Sequence, residues 1–247
     1  MPRLTLTKHH GLGNDFLVLL DLDQRSPLDE ALARALCDRH RGVGADGVIR
    51  VTPGPSDGTA PLTFELRNAD GSPAKMSGNG MRCLAQAALS AGLVSSPSFA
   101  VSTPAGVRQV TVRPTEAPGV IWASVNMGPV TREGDLVDVG NPHRVVVVDD
   151  LAGVTSDDPS INVEFVRPGP EPDAVTIRVF ERGVGETQAC GTGACAAAAV
   201  AFQQGLVGRR VIVHQPGGDA EVILDDDGTA ILAGPAEFVC SVEWDRP

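Results

Sequence analysis

Two stretches of the chain, GNGMRCLAQAALSA at residues 78 to 91 and GTGACAAAAVAFQQ at 191 to 204, limit what it can fold into. Both read as helices that are nearly uncharged. Only Arg82 interrupts the first, and the second carries no charge. A helix that is apolar all round is buried, and small side chains let neighbouring backbone approach closely. Each stretch opens on Gly-x-Gly and is ended by a glycine, Gly92 or Gly205, as C′ glycines often end helices. Position 77 before the first and position 190 before the second are 113 residues apart. The repeat predicts two similar lobes, each a curled, mostly antiparallel sheet around one central helix.

The remainder reads as short strands. LTLTK, FLVLLDL, DGVIRV, LTFELR, VRQVTVR, VIWASVN, HRVVVVDD, INVEFV, AVTIRVFE, RRVIVH, AEVIL, TAILAG and EFVCSVEW are rich in β-branched residues and separated by Gly, Pro and Asp. One further helix is expected over 27 to 40, PLDEALARALCDRH. The fold class is therefore α/β (α+β). The expected lobes are 1–115, with 236–247 returning to it, and 116–235. The Gly/Pro-bearing stretch 114 to 119 is the expected crossing point.

Net charge is −11, from 20 basic and 31 acidic side chains. That argues against nucleic acid or an anionic membrane as partner, since both require clustered Lys and Arg. The opening residues hold no apolar run long enough for a signal peptide, and no stretch approaches the roughly 18 apolar residues of a membrane span. The five cysteines (37, 83, 190, 195 and 240) lack the spacing of zinc sites or redox pairs, so a reducing cytoplasm is expected. Cys37, Cys83, Cys195 and Cys240 read as small buried hydrophobes. His9, His10, His40 and His214 show no metal spacing and read as structural or surface groups; no metal site is expected. HGLGNDF is an incomplete dinucleotide fingerprint, and there is no P-loop.

The first N–H groups of a helix lack internal acceptors and carry the positive end of its dipole. Gly-Asn-Gly and Gly-Thr-Gly leave such an end open to a carboxylate or phosphate. Ser77 is a natural N-cap. A thiol is not, so Cys190 calls for another explanation, and the helix end should lower its pKa. Two proton-handling groups with one carboxylate held at helix ends suit proton transfer at an α-carbon, one group removing the proton and the other delivering one to the opposite face. Stereoinversion then requires no cofactor.

HGLGNDF (10 to 16), CDRHRGVGADG (37 to 47), RNADGSPAKMSGNG (67 to 80), GNPH (140 to 143), NVEF (162 to 165), ERGVGETQACGTG (181 to 193) and GPAEFV (234 to 239) resemble the diaminopimelate epimerases, in order and over nearly the whole chain. The resemblance implies a cofactor-independent enzyme interconverting LL- and meso-diaminopimelate on the route to lysine and peptidoglycan. It also implies two pseudo-symmetric lobes with the site in the cleft, as a cytoplasmic homodimer. Cys190 matches one of the family's two catalytic cysteines, and Ser77 stands where the other is found. His143 and Glu181 match groups that assist proton movement. Gly78, Asn79, Gly191 and Thr192 fall at the substrate-binding helix ends. Asn14, Asn68, Asn141, Asn162, Glu181 and Arg182 fall where the substrate's amino-acid groups are held. Gly47 occupies a position where some members carry a substrate-contacting Gln.

Ser77 departs from the family where the chemistry is. A hydroxyl is a far weaker acid than a thiol. Cys83 lies six residues on, about 9 Å along a helix at roughly 1.5 Å per residue, so it cannot stand in. Three accounts of Ser77 stand open at this point. It is an engineered replacement; or it is natural and relays a proton through water or His143; or the chain has moved to another activity of the superfamily, such as an amino-acid racemase or dehydratase. A non-enzymatic amino-acid-binding protein is the remaining alternative.

Overall fold

The computed structural model describes residues 3 to 245; residues 1, 2, 246 and 247, which the expected lobe bounds include, lie outside it. In chain order the first part holds β1 (Arg3–Gly11), β2 (Asn14–Leu20), α1 (Glu30–Cys37), β3 (Gly47–Pro53), β4 (Leu62–Asn68), β5 (Pro73–Ala74), α2 (Gly78–Ser90), β6 (Ser98–Thr103) and β7 (Gly106–Pro114). There follow β8 (Val120–Pro129), β9 (Thr131–Glu133), β10 (Leu136–Asp138), β11 (Pro142–Val147), β12 (Asn162–Pro168), β13 (Ala174–Glu181) and β14 (Gly185–Thr187). The last elements are α3 (Gly191–Gln203), β15 (Arg210–Gln215), β16 (Gly218–Leu224) and β17 (Thr229–Asp245).

The chain divides into two compact units. Unit 1 comprises Met1–Gly11, Asp15–Ala123 and Pro235–Pro247, and unit 2 comprises Leu12–Asn14 and Ser124–Gly234. Both use one pairing scheme. In unit 1, β2 runs parallel to β3, β3 antiparallel to β4, β4 antiparallel to β5, and, after α2, β6 parallel to β4 and antiparallel to β7. In unit 2 the same sequence of pairings recurs with β11, β12, β13, β14, α3, β15 and β16. α2 packs on β1, β3, β4 and β7, and α3 on β11, β12, β13, β15 and β16. These contacts explain the uncharged helices. Every residue from Gly78 to Ala88 and from Gly191 to Ala201 is buried; the buried stretch of α3 is almost all small residues, whereas α2 also buries Met81, Arg82, Leu84 and Gln86.

Both helices end in the same way. Gly92 (φ 69°) and Gly205 (φ 73°) take the left-handed conformation that a following turn needs. Leu93 N donates to Ala88 O and Leu206 N to Ala201 O, closing the last turns.

α1 is shorter than the stretch 27 to 40 suggested. Asp29 caps it, accepting from Leu32 N at 2.7 Å, so Pro27 and Leu28 lie before the helix. At the other end Asp38 leaves helical dihedrals, and the N–H groups of Gly42 and Gly44 return to Asp38 O and Leu36 O. Strands β5, β6, β9, β10 and β14 were not expected from the pattern. Four of them have only two or three residues, and β6 lies in the Ser/Pro-rich stretch SSPSFAVST. Among the described residues no helix is long and apolar enough to cross a membrane.

β1 carries a histidine into the interior of unit 1. His9 is buried, its Nε2 2.7 Å from Thr7 Oγ1 and its ring edge-on to Phe238 at 5.6 Å. Burial lowers its pKa from 6.5 to about 4; a hydrogen bond with Gln86 opposes this, and the charge of His10 adds to it. Between these two values the unfolded chain binds a proton that the folded one refuses, so stability falls as pH drops from 6.5 towards 4. The full effect is about 3 kcal/mol. His214 has the opposite sign, because Asp219 and Glu171 outweigh its burial and raise its pKa. Guanidinium unfolding of the wild type and His9→Gln at pH 7.5 and 5 isolates the first effect. The variant should lose less stability than the wild type between the two pH values, by about 2 kcal/mol.

Candidate active site

Chemistry-bearing side chains gather in unit 2 at the N-terminus of α3. Cys190 is its N-cap, with extended dihedrals (φ −126°, ψ 116°) and a sulfur that accepts from Gly193 N at 3.4 Å. Thr192 Oγ1 lies 3.5 Å from the same sulfur, and Cys190 N donates to Gln215 Oε1 on β15 at 2.9 Å. Leu12–Asn14 adjoins this region from the N-terminal part of the chain. Leu12 is held at φ 57°, an uncommon value for a branched residue. Gly217 passes so close that a Cβ there would stand 1.9 Å from Leu12 O.

β11 and β12 run parallel, with His143 opposite Asn162 and Val145 opposite Glu164. That register brings two fully buried groups together: His143 Nδ1 lies 2.6 Å from Glu164 Oε1. The other ring nitrogen lies 3.1 Å from Asn141 Oδ1. A ring nitrogen of His143, a carboxylate oxygen of Glu164 and Cys190 Sγ all lie within 4.8 Å of one another. Within this group Glu164 Oε1 is engaged by the imidazole, and the thiol lies beside the pair.

Glu181 closes β13, and its Oε1 accepts from Thr187 Oγ1 across the β13–β14 hairpin at 2.8 Å. Asn162 Oδ1 accepts from Arg182 N at 2.9 Å. Asn141, Pro142, Ser160, Ile161, Asn162 and Arg182 line a small depression. Asn14 opens β2. In unit 1 the counterpart is simpler. Ser77 caps α2, its Oγ accepting from Gly80 N at 3.0 Å. Asn79 is buried with its side-chain oxygen engaged by the Arg82 guanidinium, so at this helix end Gly78 and Asn79 present backbone. Asn68 ends β4 in an exposed turn, donating to Ser72 Oγ at 3.1 Å.

Two expectations about the cysteines are corrected. Cys240, expected to be buried, is exposed. The helix end was expected to lower the Cys190 pKa, yet it stands well above 9. Burial is the largest cause, and the carboxylates of Glu181 and Glu164 add to it. The contacts from Thr192 and Gly193 N pull the other way without prevailing. Cys190 therefore rests as a thiol. Two residues of the cluster were also missed from the sequence. Gln215 ends an ordinary strand and gives no signal. Glu164 gives only a weak one: it sits inside an apolar strand, I-N-V-E-F-V, where it proves to be buried beside Val163, and charges are seldom buried unpaired.

Solved structures share this architecture. A PhzF-family phenazine biosynthesis protein from Bacillus anthracis matches with TM-score 0.78 at 16% identity over all of both chains. A probable proline racemase from Agrobacterium radiobacter K84 matches with TM-score 0.73 at 17% identity, over 99% of this chain and 93% of the other. Among curated relatives, an O-ureido-serine racemase from Streptomyces lavendulae is 40% identical, covering 96% of this chain and 93% of its own length. A diaminopimelate epimerase from Xanthomonas axonopodis pv. citri (strain 306) is 38% identical over 99% and 97%. These relatives place the chain among the isomerases, in the amino-acid epimerase and racemase class. The chain belongs to the diaminopimelate epimerase family, whose model matches residues 6–133 and 155–239.

Two outcomes follow from this geometry. Near neutral pH, iodoacetamide should label exposed Cys240 before buried Cys190, which should react only as the pH is raised. Peptide mapping of the first alkylated site checks this. Secondly, a Cβ at Gly193 would stand 2.6 Å from Glu164 Oε1, while one at Gly80 would stand 3.2 Å from Ile49 Cδ1. Gly193→Ala should cost about 1–3 kcal/mol by overpacking, and Gly80→Ala less, as read from denaturant midpoints.

Proposed function

We propose that the protein moves a proton at the α-carbon of an amino acid without a cofactor, epimerising LL-diaminopimelate to meso-diaminopimelate. The observation that supports this best is the α3 N-terminus, where a thiol, an imidazole and a carboxylate sit beside backbone N–H groups suited to a substrate carboxylate. Cys190 handles the proton on one face, and Ser77 occupies the place of the second acid–base group. His143 and Glu181 assist proton movement, and the N–H groups of Gly78, Asn79, Gly191 and Thr192 hold the carboxylate and the negative charge that develops from it. Asn14, Asn68, Asn141, Asn162, Glu181 and Arg182 read the rest of the substrate; neutral amides with an acid and a guanidinium suit a second ammonium and carboxylate. The family likeness also motivates a homodimer, a cytoplasmic location and a place in lysine and peptidoglycan precursor synthesis.

Cys190 rests as a thiol, so it begins as a donor. Proton removal must then start from Ser77, whose hydroxyl is a poor base, or wait until a bound cation offsets the two carboxylates near Cys190. Turnover should be slow. A second reading is carried by the relative at 40% identity: racemisation of a serine-derived amino acid such as O-ureido-serine.

Incubation in deuterated water with LL-diaminopimelate, O-ureido-serine, proline and alanine, following isomer ratio and α-deuterium, separates these readings. Diaminopimelate should be preferred over proline and alanine, by up to ~10⁴-fold where buried polar groups would be left unpaired. Ser77→Cys should raise epimerisation by about 10²-fold or more with little change in binding. Equal use of proline and diaminopimelate would remove the diaminopimelate reading. A faster reaction with O-ureido-serine would install the second. Saturable binding with neither inversion nor label would leave a binding protein.

A further inference from the structure

The two units repeat one pairing scheme, so each position in one has a counterpart in the other. β2 and β3 are in register at Phe16↔Gly47 and Val18↔Ile49; β11 and β12 are in register at His143↔Asn162 and Val145↔Glu164. Phe16 therefore corresponds to His143, and Ile49 to Glu164. The helix glycines give the same correspondence independently. A Cβ on Gly80 would meet Ile49, and a Cβ on Gly193 would meet Glu164.

The same place beneath the helix N-terminus is thus filled by Phe16 and Ile49 in unit 1 and by His143 and Glu164 in unit 2, and all four are buried. The fold does not demand charge there, because one copy does without it. A buried ionisable pair is an expensive way to fill space, and apolar residues of similar volume often do as well or better. Here the expense is larger than usual, since Glu164 Oε2 has no hydrogen-bond partner among the described residues.

We propose that Glu164 is a positioning residue for Cys190, its buried carboxylate fixing the His143 ring beside the thiol and setting the charge that the thiol feels. The inference rests on the reading that Cys190 handles the proton. Glu164 Oε1 takes the Nδ1 side of the ring, as a buried acid does when it holds a catalytic imidazole in one tautomer and orientation. The groups facing Cys190 are Glu164 from β12, His143 from β11, Glu181 from β13, Gln215 from β15, and Thr192 and Gly193 of its own helix. Of these, Glu164 and Glu181 are the carboxylates. Glu164 differs from Glu181 in also gripping the imidazole, so a single substitution alters both the ring and the charge. It touches no substrate in this account and acts through its neighbours.

The test is Glu164→Gln, nearly isosteric and still able to accept from the ring. The rate of Cys190 alkylation by iodoacetamide is followed against pH, and ¹⁵N NMR reports the His143 tautomer. The alkylation midpoint should move down by about one pH unit or more once the carboxylate charge is gone. For any amino acid turned over, kcat should fall by about 10²-fold with KM nearly unchanged. Glu164→Asp, which keeps the charge but shortens its reach, should hold the alkylation midpoint near that of the wild type while kcat remains low. If Glu164→Gln does not fold, the double variant His143→Phe, Glu164→Ile copies unit 1, should fold, and carries the same alkylation test. An alkylation profile superimposable on that of the wild type overturns the proposal, whatever happens to kcat. A shifted profile in a protein that turns over no amino acid upholds the positioning of the thiol and overturns the proposed reaction instead.

Discussion

Both units depend on a helix that strands can approach closely from several sides. A helix with large side chains holds neighbouring backbone at a distance; one built from Gly, Ala and Cys does not. α3 meets that condition most fully, with no charge and every residue buried from Gly191 to Ala201. Enclosure has a second effect at the N-terminus. The first N–H groups of a helix that is sheathed in strands have little access to water, so what they meet is what the protein puts there. In unit 1 that is a serine hydroxyl, and in unit 2 a cysteine sulfur.

The same enclosure explains why local reasoning about Cys190 went astray. A helix dipole acts on a thiol at its end, but it acts against desolvation and against neighbouring charge. In a water-filled cleft the dipole would count for more. Here burial and the carboxylates of Glu181 and Glu164 prevail. Neither influence is visible in TQACGTG; Glu164 lies on another strand and is brought in by a parallel pairing that sequence proximity does not suggest.

What could be read directly from the residues was periodic or punctuated. Both long helices were legible from alanine content and terminal glycines, and the longer strands from β-branched runs. α1 was overextended because Pro27 looked like a helix start, whereas the side chain of Asp29 makes the cap. Strands as short as β5 and β14 have too few residues to show alternation. At the site, Cys190, His143 and Asn141 fall in one neighbourhood, and Asn162 meets Arg182, from motifs that are far apart in the chain. Glu164 is hard to single out in NVEF, because an acid within a strand commonly lies on a solvent face and its burial shows only in the fold.

The route of the chain has a consequence for how the molecule comes into being. Among the described strands β1 comes earliest in the chain and its partner β17 latest; Arg3 Nε reaches Asp245 Oδ1 across a separation of 242 residues. Until β17 has been made, β1 lacks that partner, and α2, which packs on β1, lacks a completed wall. Loop-closure entropy must be met before such distant pairing rewards it, so folding is expected to be slow and late. Unit 2 draws only three residues, Leu12–Asn14, from the N-terminal end and otherwise uses a continuous stretch. Its contacts are available earlier in synthesis. The unit that holds the thiol can therefore consolidate while the one that holds the serine still waits for its closing strand.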